Sequence, residues 1–205
     1  MIDIEKLQDI LAEYKRDFPQ RWPLEKYKWE AVRCFQTAWD FAARDFEEMF
    51  TAATARTKDL LTSVNYYPRG VMRGFAAVNR DATKAMFANL FDEKKNLAAR
   101  EERFREDAEH IRREYGEGIW KQHYQKLNAI SIYLWLRYPD RYYLYNYSDC
   151  RVVAKELHSS FMPHRGAHAG NLIGAYELFD EICDVIKKDR ELQTVYRAQR
   201  RDNCW

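Results

Sequence analysis

Three histidines, His158, His164 and His168, fall within eleven residues of one glycine-bearing stretch, "HSSFMPHRGAHAGN". Imidazoles at that density could hold Zn²⁺, with Cys150 as a further ligand. Their spacing matches no established ligand pattern, and a loop with scattered histidines is the simpler reading. Ser159 and Ser160 adjoin His158, but neighbours in sequence do not make a nucleophile, its base and its orienting acid. Pro139-Asp140 could open a metal-dependent nuclease motif. The second half of such a motif, an acid–x–Lys on a nearby strand, does not follow: Asp184 precedes Lys187 by three. A turn accounts for Pro139-Asp140. Gly166, Gly170 and Gly174 fall four apart with no following Lys, so the phosphate-cradling loop of nucleotide hydrolases is absent. GxSxG and HExxH are absent too. We therefore assign no catalytic residue, no metal and no cofactor, and expect a protein that binds.

Residues suited to binding nucleic acid cluster at two turns. In "NYYPRG", Tyr66 and Tyr67 precede Pro68, and Arg69 and Arg73 follow. Pro68 suits the first position of a helix, whose free N–H groups would favour an anion beside the two arginines. The second turn lies in "AISIYLWLRYPDRYYLYNYSDC", from Ala129 to Cys150. Arg137 and Arg141 bracket it, and Tyr142, Tyr143, Tyr145 and Tyr147 follow within six positions. If this stretch is extended, Tyr143, Tyr145 and Tyr147 share one face and Tyr142, Leu144 and Asn146 the other. Tyrosine stacks on any base and keeps its hydroxyl solvated. It is equally a packing residue, and at both turns the bland alternative is a core anchor with arginines paired to acids. The candidate nucleic-acid site is thus Tyr66, Tyr67, Arg69, Arg73, Arg137, Arg141, Tyr142 and Tyr143.

Bulk properties frame these choices. The chain has 205 residues, 46% of them apolar and 15% aromatic, which suits one folded domain with a real core. Its 34 basic and 32 acidic side chains leave a net charge of +2. That excludes a globally basic nucleic-acid protein but not a local basic face. No apolar stretch reaches membrane-spanning length, and the charged N-terminus has no signal-peptide character. Cys34, Cys150, Cys183 and Cys204 are scattered without a CxxC, so a cytoplasmic protein with reduced thiols and no membrane partner is expected.

The elements that must position these residues read as helices, since Gly numbers only 7 and Pro only 5. Residues 1–23 form a short helix and a connector broken by Pro19 and Pro23. A core spans 24–188. A basic tail, 189–205, contains Lys188's successors Arg190, Arg197, Arg200 and Arg201 and leads towards a further domain. Within the core, a helix starts near Leu24 with the stripe Trp29, Val32, Phe35, Trp39, Phe46, Met49 and Phe50. Asp81 caps a later one. A charged helix ends at Gly116, and an all-round apolar helix covers about 119–138. Ser148 or Asp149 caps the next. The only β element expected is a short one near 141–147. The fold class is mainly α, about seven to ten helices.

Three blocks, "TKDLLTSVNYYPRGVMRGFA", "MFANLFDE" and "HYQKLNAISIYLWLRYPDRYYLYNYS", resemble the N-terminal domain of McrB-like AAA+ proteins of modification-dependent restriction systems. The resemblance runs from about Leu24 to Cys204. It implies an antiviral module that selects DNA, in some relatives by flipping a modified base, for an AAA+ motor and its nuclease partner. It transfers no residue roles; the site above rests on chemistry. The competing class is a protein-interaction or sensor module without DNA binding, which the near-zero net charge favours. A metal-dependent nuclease is a third, less supported class.

Overall fold

The structure, a computed structural model, describes residues 1–116, 118–166 and 170–201, with side chains as far as 198. His168, Cys204 and the side chains of Arg200 and Arg201 lie outside the described residues. Among those described there are ten α-helices and no strand. They are α1 (Ile4–Glu25), α2 (Tyr27–Ala38), α3 (Phe46–Ala53), α4 (Pro68–Val78), α5 (Arg80–Leu90), α6 (Leu97–Tyr115), α7 (Leu127–Arg137), α8 (Tyr147–Glu156), α9 (Gly170–Ile186) and α10 (Arg190–Arg201). A 3-10 turn, Lys58–Leu60, lies between α3 and α4. No helix among them is long and apolar enough to cross a membrane.

Several boundaries depart from the sequence reading. Pro19 and Pro23 do not break α1 but lie inside it. Both are exposed, while the adjacent Phe18 and Trp22 are buried. The carbonyls that lose a hydrogen-bond donor therefore face water, and burial of the two rings carries the helix through. The stripe from Trp29 to Phe50 divides at Trp39, whose backbone turns extended so that its indole enters the core. Asp45 restarts the chain as α3 by accepting a hydrogen bond from the Glu48 N–H at 2.8 Å. Asn79, not Asp81, caps α5, and Asn146, not Ser148 or Asp149, caps α8. Pro68 at the first turn of α4 and Gly116 at the end of α6 stand as expected.

The apolar helix is fully buried but begins at Leu127 rather than near Ile119. What precedes it is taken up by a tertiary contact. Trp120 packs edge-on to Phe75, over the backbone of Gly74 and Gly116. A Cβ on either glycine would stand 2.2 or 2.3 Å from the indole. The Trp120 carbonyl accepts from Arg112, and Tyr124 takes a left-handed backbone. These commitments exclude a helical path there.

No strand forms near 141–147, because a ladder needs a partner and none runs alongside. The backbone of Tyr145 instead bonds side chains of α7: its N–H donates to Ser131 Oγ at 2.9 Å and its carbonyl accepts from Asn128 Nδ2 at 2.8 Å. The faces expected of a strand dissolve accordingly. Tyr142 and Tyr145, three apart, are buried, whereas Tyr143 and Tyr147 are half-buried.

The core is an aromatic stack centred on Phe87 of α5. Its ring lies within 5.0–5.7 Å of Trp39, Phe50, Phe91, Phe104 and Tyr133. A separate apolar cluster joins Leu7 and Leu11 of α1 to Leu157 and Leu192.

One charged group inside α6 yields a pH prediction. Glu101 is fully buried; Oε1 accepts from Arg105 at 2.7 Å, but Oε2 has no partner. Burial raises its pKa above the usual 4.5 and outweighs the Arg105 cation. A carboxyl whose folded pKa is raised favours folding when protonated. Its contribution is complete below pH 4.5 and is lost as pH rises through the folded value. Glu101→Gln, which removes the buried charge, should raise the melting temperature at pH 7 more than at pH 4. Melting curves at the two pH values check this; a loss larger at pH 7 would refute it.

A candidate nucleic-acid interface

Most side chains of the two sequence turns are occupied. Arg73 pairs with Glu47 at 3.0 Å and Arg141 with Glu93 at 2.8 Å. The Arg137 guanidinium lies over the Tyr138 ring, 5.5 Å from its centre. Tyr142 is buried; its hydroxyl accepts from Arg100 at 2.8 Å and donates to Glu93 at 3.2 Å. Tyr143 donates to Asp180 of α9 at 2.7 Å, and burial, before that carboxylate, drives its pKa up. Tyr67 is exposed but folds back to the Val64 carbonyl at 2.8 Å. Five of the eight, Arg73, Arg137, Arg141, Tyr142 and Tyr143, thus hold helices together or cover the turn they belong to. The exceptions that line open space are Tyr66 and Arg69.

Tyr66 forms one wall of a cleft of about 640 Å³ between the 3-10 turn, α7, the start of α8 and α9. A β-bridge with Ser63 holds its backbone. Its hydroxyl is buried with no hydrogen-bond partner among the described residues, and desolvation raises its pKa. Tyr145, Tyr147 and Phe179 supply the other rings. Burial pushes Tyr145 up to about 12, so it stays a neutral phenol. Asn128, Asn146, Ser63, Asp59 and Asp149 supply the polar lining, with Lys28, itself paired to Glu25, as the one cation. Asn146 Oδ1 is spent capping α8, but Asp59, Asp149 and the Asn128 Oδ1 bond no other described residue. They remain acceptors for a ligand's N–H groups.

Arg69 lines a second depression of about 420 Å³ that shares Asp59 with the first. Its guanidinium is fixed to α3, Nε to Thr54 Oγ1 at 2.9 Å and Nη2 to the Thr51 carbonyl at 3.0 Å. Thr57, Thr62 and Lys58 complete the wall. Lys58 stacks over the Tyr27 ring at 5.2 Å and holds a left-handed backbone, φ 41°, at the junction of the two hollows. That conformation is costly for a side chain with a Cβ and is found most often where a side chain must be aimed.

Tyr145 and Tyr147 were weighed in the sequence only as one face of a strand, and Phe179, Lys58, Asp59 and Asn128 were not singled out for this role. Asn146, three residues before Asp149, is a helix-start signal that could have placed the cap, and with it the start of α8, at the cleft. Elsewhere, His158 lies 3.3 Å from Asp3, and among the described residues no three His, Cys, Asp or Glu side chains are placed to hold a metal ion. Comparison of the chain with protein-family models, with curated proteins and with solved structures gives no match.

Proposed function

We propose that this chain is a DNA-binding target-recognition module that receives an unstacked base, modified or unmodified, in the Tyr66–Tyr145–Tyr147–Phe179 cleft. The observation that carries the reading is the junction at Asp59. An aromatic cleft with free amide and carboxylate acceptors opens beside a threonine-lined hollow holding Lys58 and Arg69. Rings hold a base by its faces, acceptors read its N–H edge, and the neighbouring cations take the phosphate. The cleft volume lies within the usual range for small-ligand sites, about 300–1,000 Å³. Arg73 and Arg141 are paired with acids, so in this reading the phosphate contact falls to Lys58 and to Nη1 of Arg69, the guanidinium nitrogen that bonds no other described residue. In this reading the module selects the target for an AAA+ motor and its nuclease partner in an antiviral restriction system, which is what the resemblance of the three sequence blocks implies.

The test is binding of the purified chain to labelled duplex DNA, unmodified and carrying modified cytosines, at two salt concentrations. Affinity should fall steeply with salt, and Lys58→Ala should reduce the slope of log K against log salt by about one. No binding at low salt overturns the proposal. An unchanged slope in Lys58→Ala removes the hollow as the phosphate site.

A further inference from the structure

A further opening, almost wholly apolar, shares no lining residue with the phosphate hollow. It is a groove of about 640 Å³ bounded by α1, α8, α9 and α10. Leu7, Leu11, Phe18, Leu157 and Leu192 form a buried floor. The mouth is open: Ile10 is 40% exposed, Tyr14 37% and Val152 60%. Isolated exposed apolar residues are ordinary, but here they edge one continuous apolar surface, which marks an interaction site. The lining holds a single charged residue, Glu156. Its carboxylate forms no hydrogen bond or ion pair with any other described residue, and on α8 it follows Val152 by one turn. A lone carboxylate at an apolar mouth favours an occupant that brings a cation.

Helix α10 is one wall of the groove, not its occupant. Helix α10 lays Leu192 and Tyr196, four residues apart, against the groove, while Arg190 and Arg197 point to solvent. Trp22 and Trp29 hold the Tyr196 ring edge-on at 5.7 and 6.1 Å, and Lys15 clamps Asp189 and Glu191 at 3.0 and 2.7 Å. That contact uses one wall and leaves Ile10, Tyr14, Val152 and Glu156 uncovered.

We infer that this groove docks a basic amphipathic helix of a partner protein, its apolar stripe on Ile10, Tyr14 and Val152 and a Lys or Arg on Glu156. Helix-in-groove recognition uses anchors at i, i+3, i+4 and i+7, which seat in an apolar groove of this kind. The surface is distinct from the DNA cleft, although Val153 touches both, so the two activities are separable.

The experiment titrates the full chain into fluorescent synthetic peptides with Leu at i, i+3, i+4 and i+7, flanked either by Lys or by Glu. The Lys peptide should bind at least tenfold tighter than the Glu peptide. Val152→Asp should abolish binding, and Glu156→Lys should reverse the preference; both positions are at the surface, and unchanged melting curves verify the fold. Absence of saturable binding, equal affinity for both peptides, or indifference to Glu156→Lys would overturn the inference. So would concentration-dependent dimerisation blocked by Val152→Asp, which would assign the groove to a second copy. Palmitate binding without peptide binding would assign it to an acyl chain and also overturn it.

Discussion

Phe87→Ala is expected to destabilise the fold by about 3–5 kcal/mol, the range for removing a large aromatic from a well-packed core. The side chain is fully buried and touches rings from α3, α6 and α7, besides Trp39 beyond the end of α2 and Phe91 beyond the end of α5. Edge-to-face pairs of this kind contribute beyond the area they bury. Because the neighbours come from different helices, no single one can move to refill the space. For a chain of this size the melting temperature should fall by roughly 6–20 °C. Thermal unfolding followed by circular dichroism measures it. Phe87→Leu, which retains most of the volume, should lose much less. Equal losses would show that ring geometry, rather than filled space, sets the cost.

Tyr147→Ala is expected to weaken DNA binding by about 1–3 kcal/mol, roughly 5- to 150-fold, if a base stacks in the cleft. The ring is half-buried at the first position of α8 and packs on the edge of the core, so unchanged melting curves must accompany any loss assigned to base stacking. The Asn146 cap, which holds the helix start, is untouched. Tyr147→Phe retains the π-face and should bind nearly as tightly as the parent. Fluorescence anisotropy against the labelled duplexes reads both variants. The salt slope should not change, because no phosphate contact is lost. An unaltered affinity in Tyr147→Ala would remove this ring from the site, while a loss matched by Tyr147→Phe would place the contribution in the hydroxyl.

The helical class, Pro68 at the head of α4, Gly116 at the end of α6 and the all-round burial of α7 were legible because each follows from local chemistry. Proline fixes φ and gives up no hydrogen bond at a helix start. Gly116 follows the last periodic residue, and eleven residues with no polar face have nowhere to go but inside. Other features needed the neighbours. Pro19 and Pro23 stay within α1 because Phe18 and Trp22 find a buried seat. Residues 119–126 are not helical because Trp120 fits where Gly74 and Gly116 carry no side chain. "RYYLYNY" has strand composition, but strand formation depends on a second backbone, and here Ser131 and Asn128 of α7 take the hydrogen bonds instead.

The candidate site divides in the same way. The sequence by itself determined that tyrosines and arginines gather at two turns. Which arginine is spent and which lines open space depends on acids distant in the chain: Glu47 for Arg73 and Glu93 for Arg141. Only the tertiary structure brought Lys58 and Asp59 beside Tyr66, Tyr147 and Phe179, residues up to 121 positions apart. Side-chain chemistry is a property of the residue, but availability is decided by whichever partner the fold delivers first.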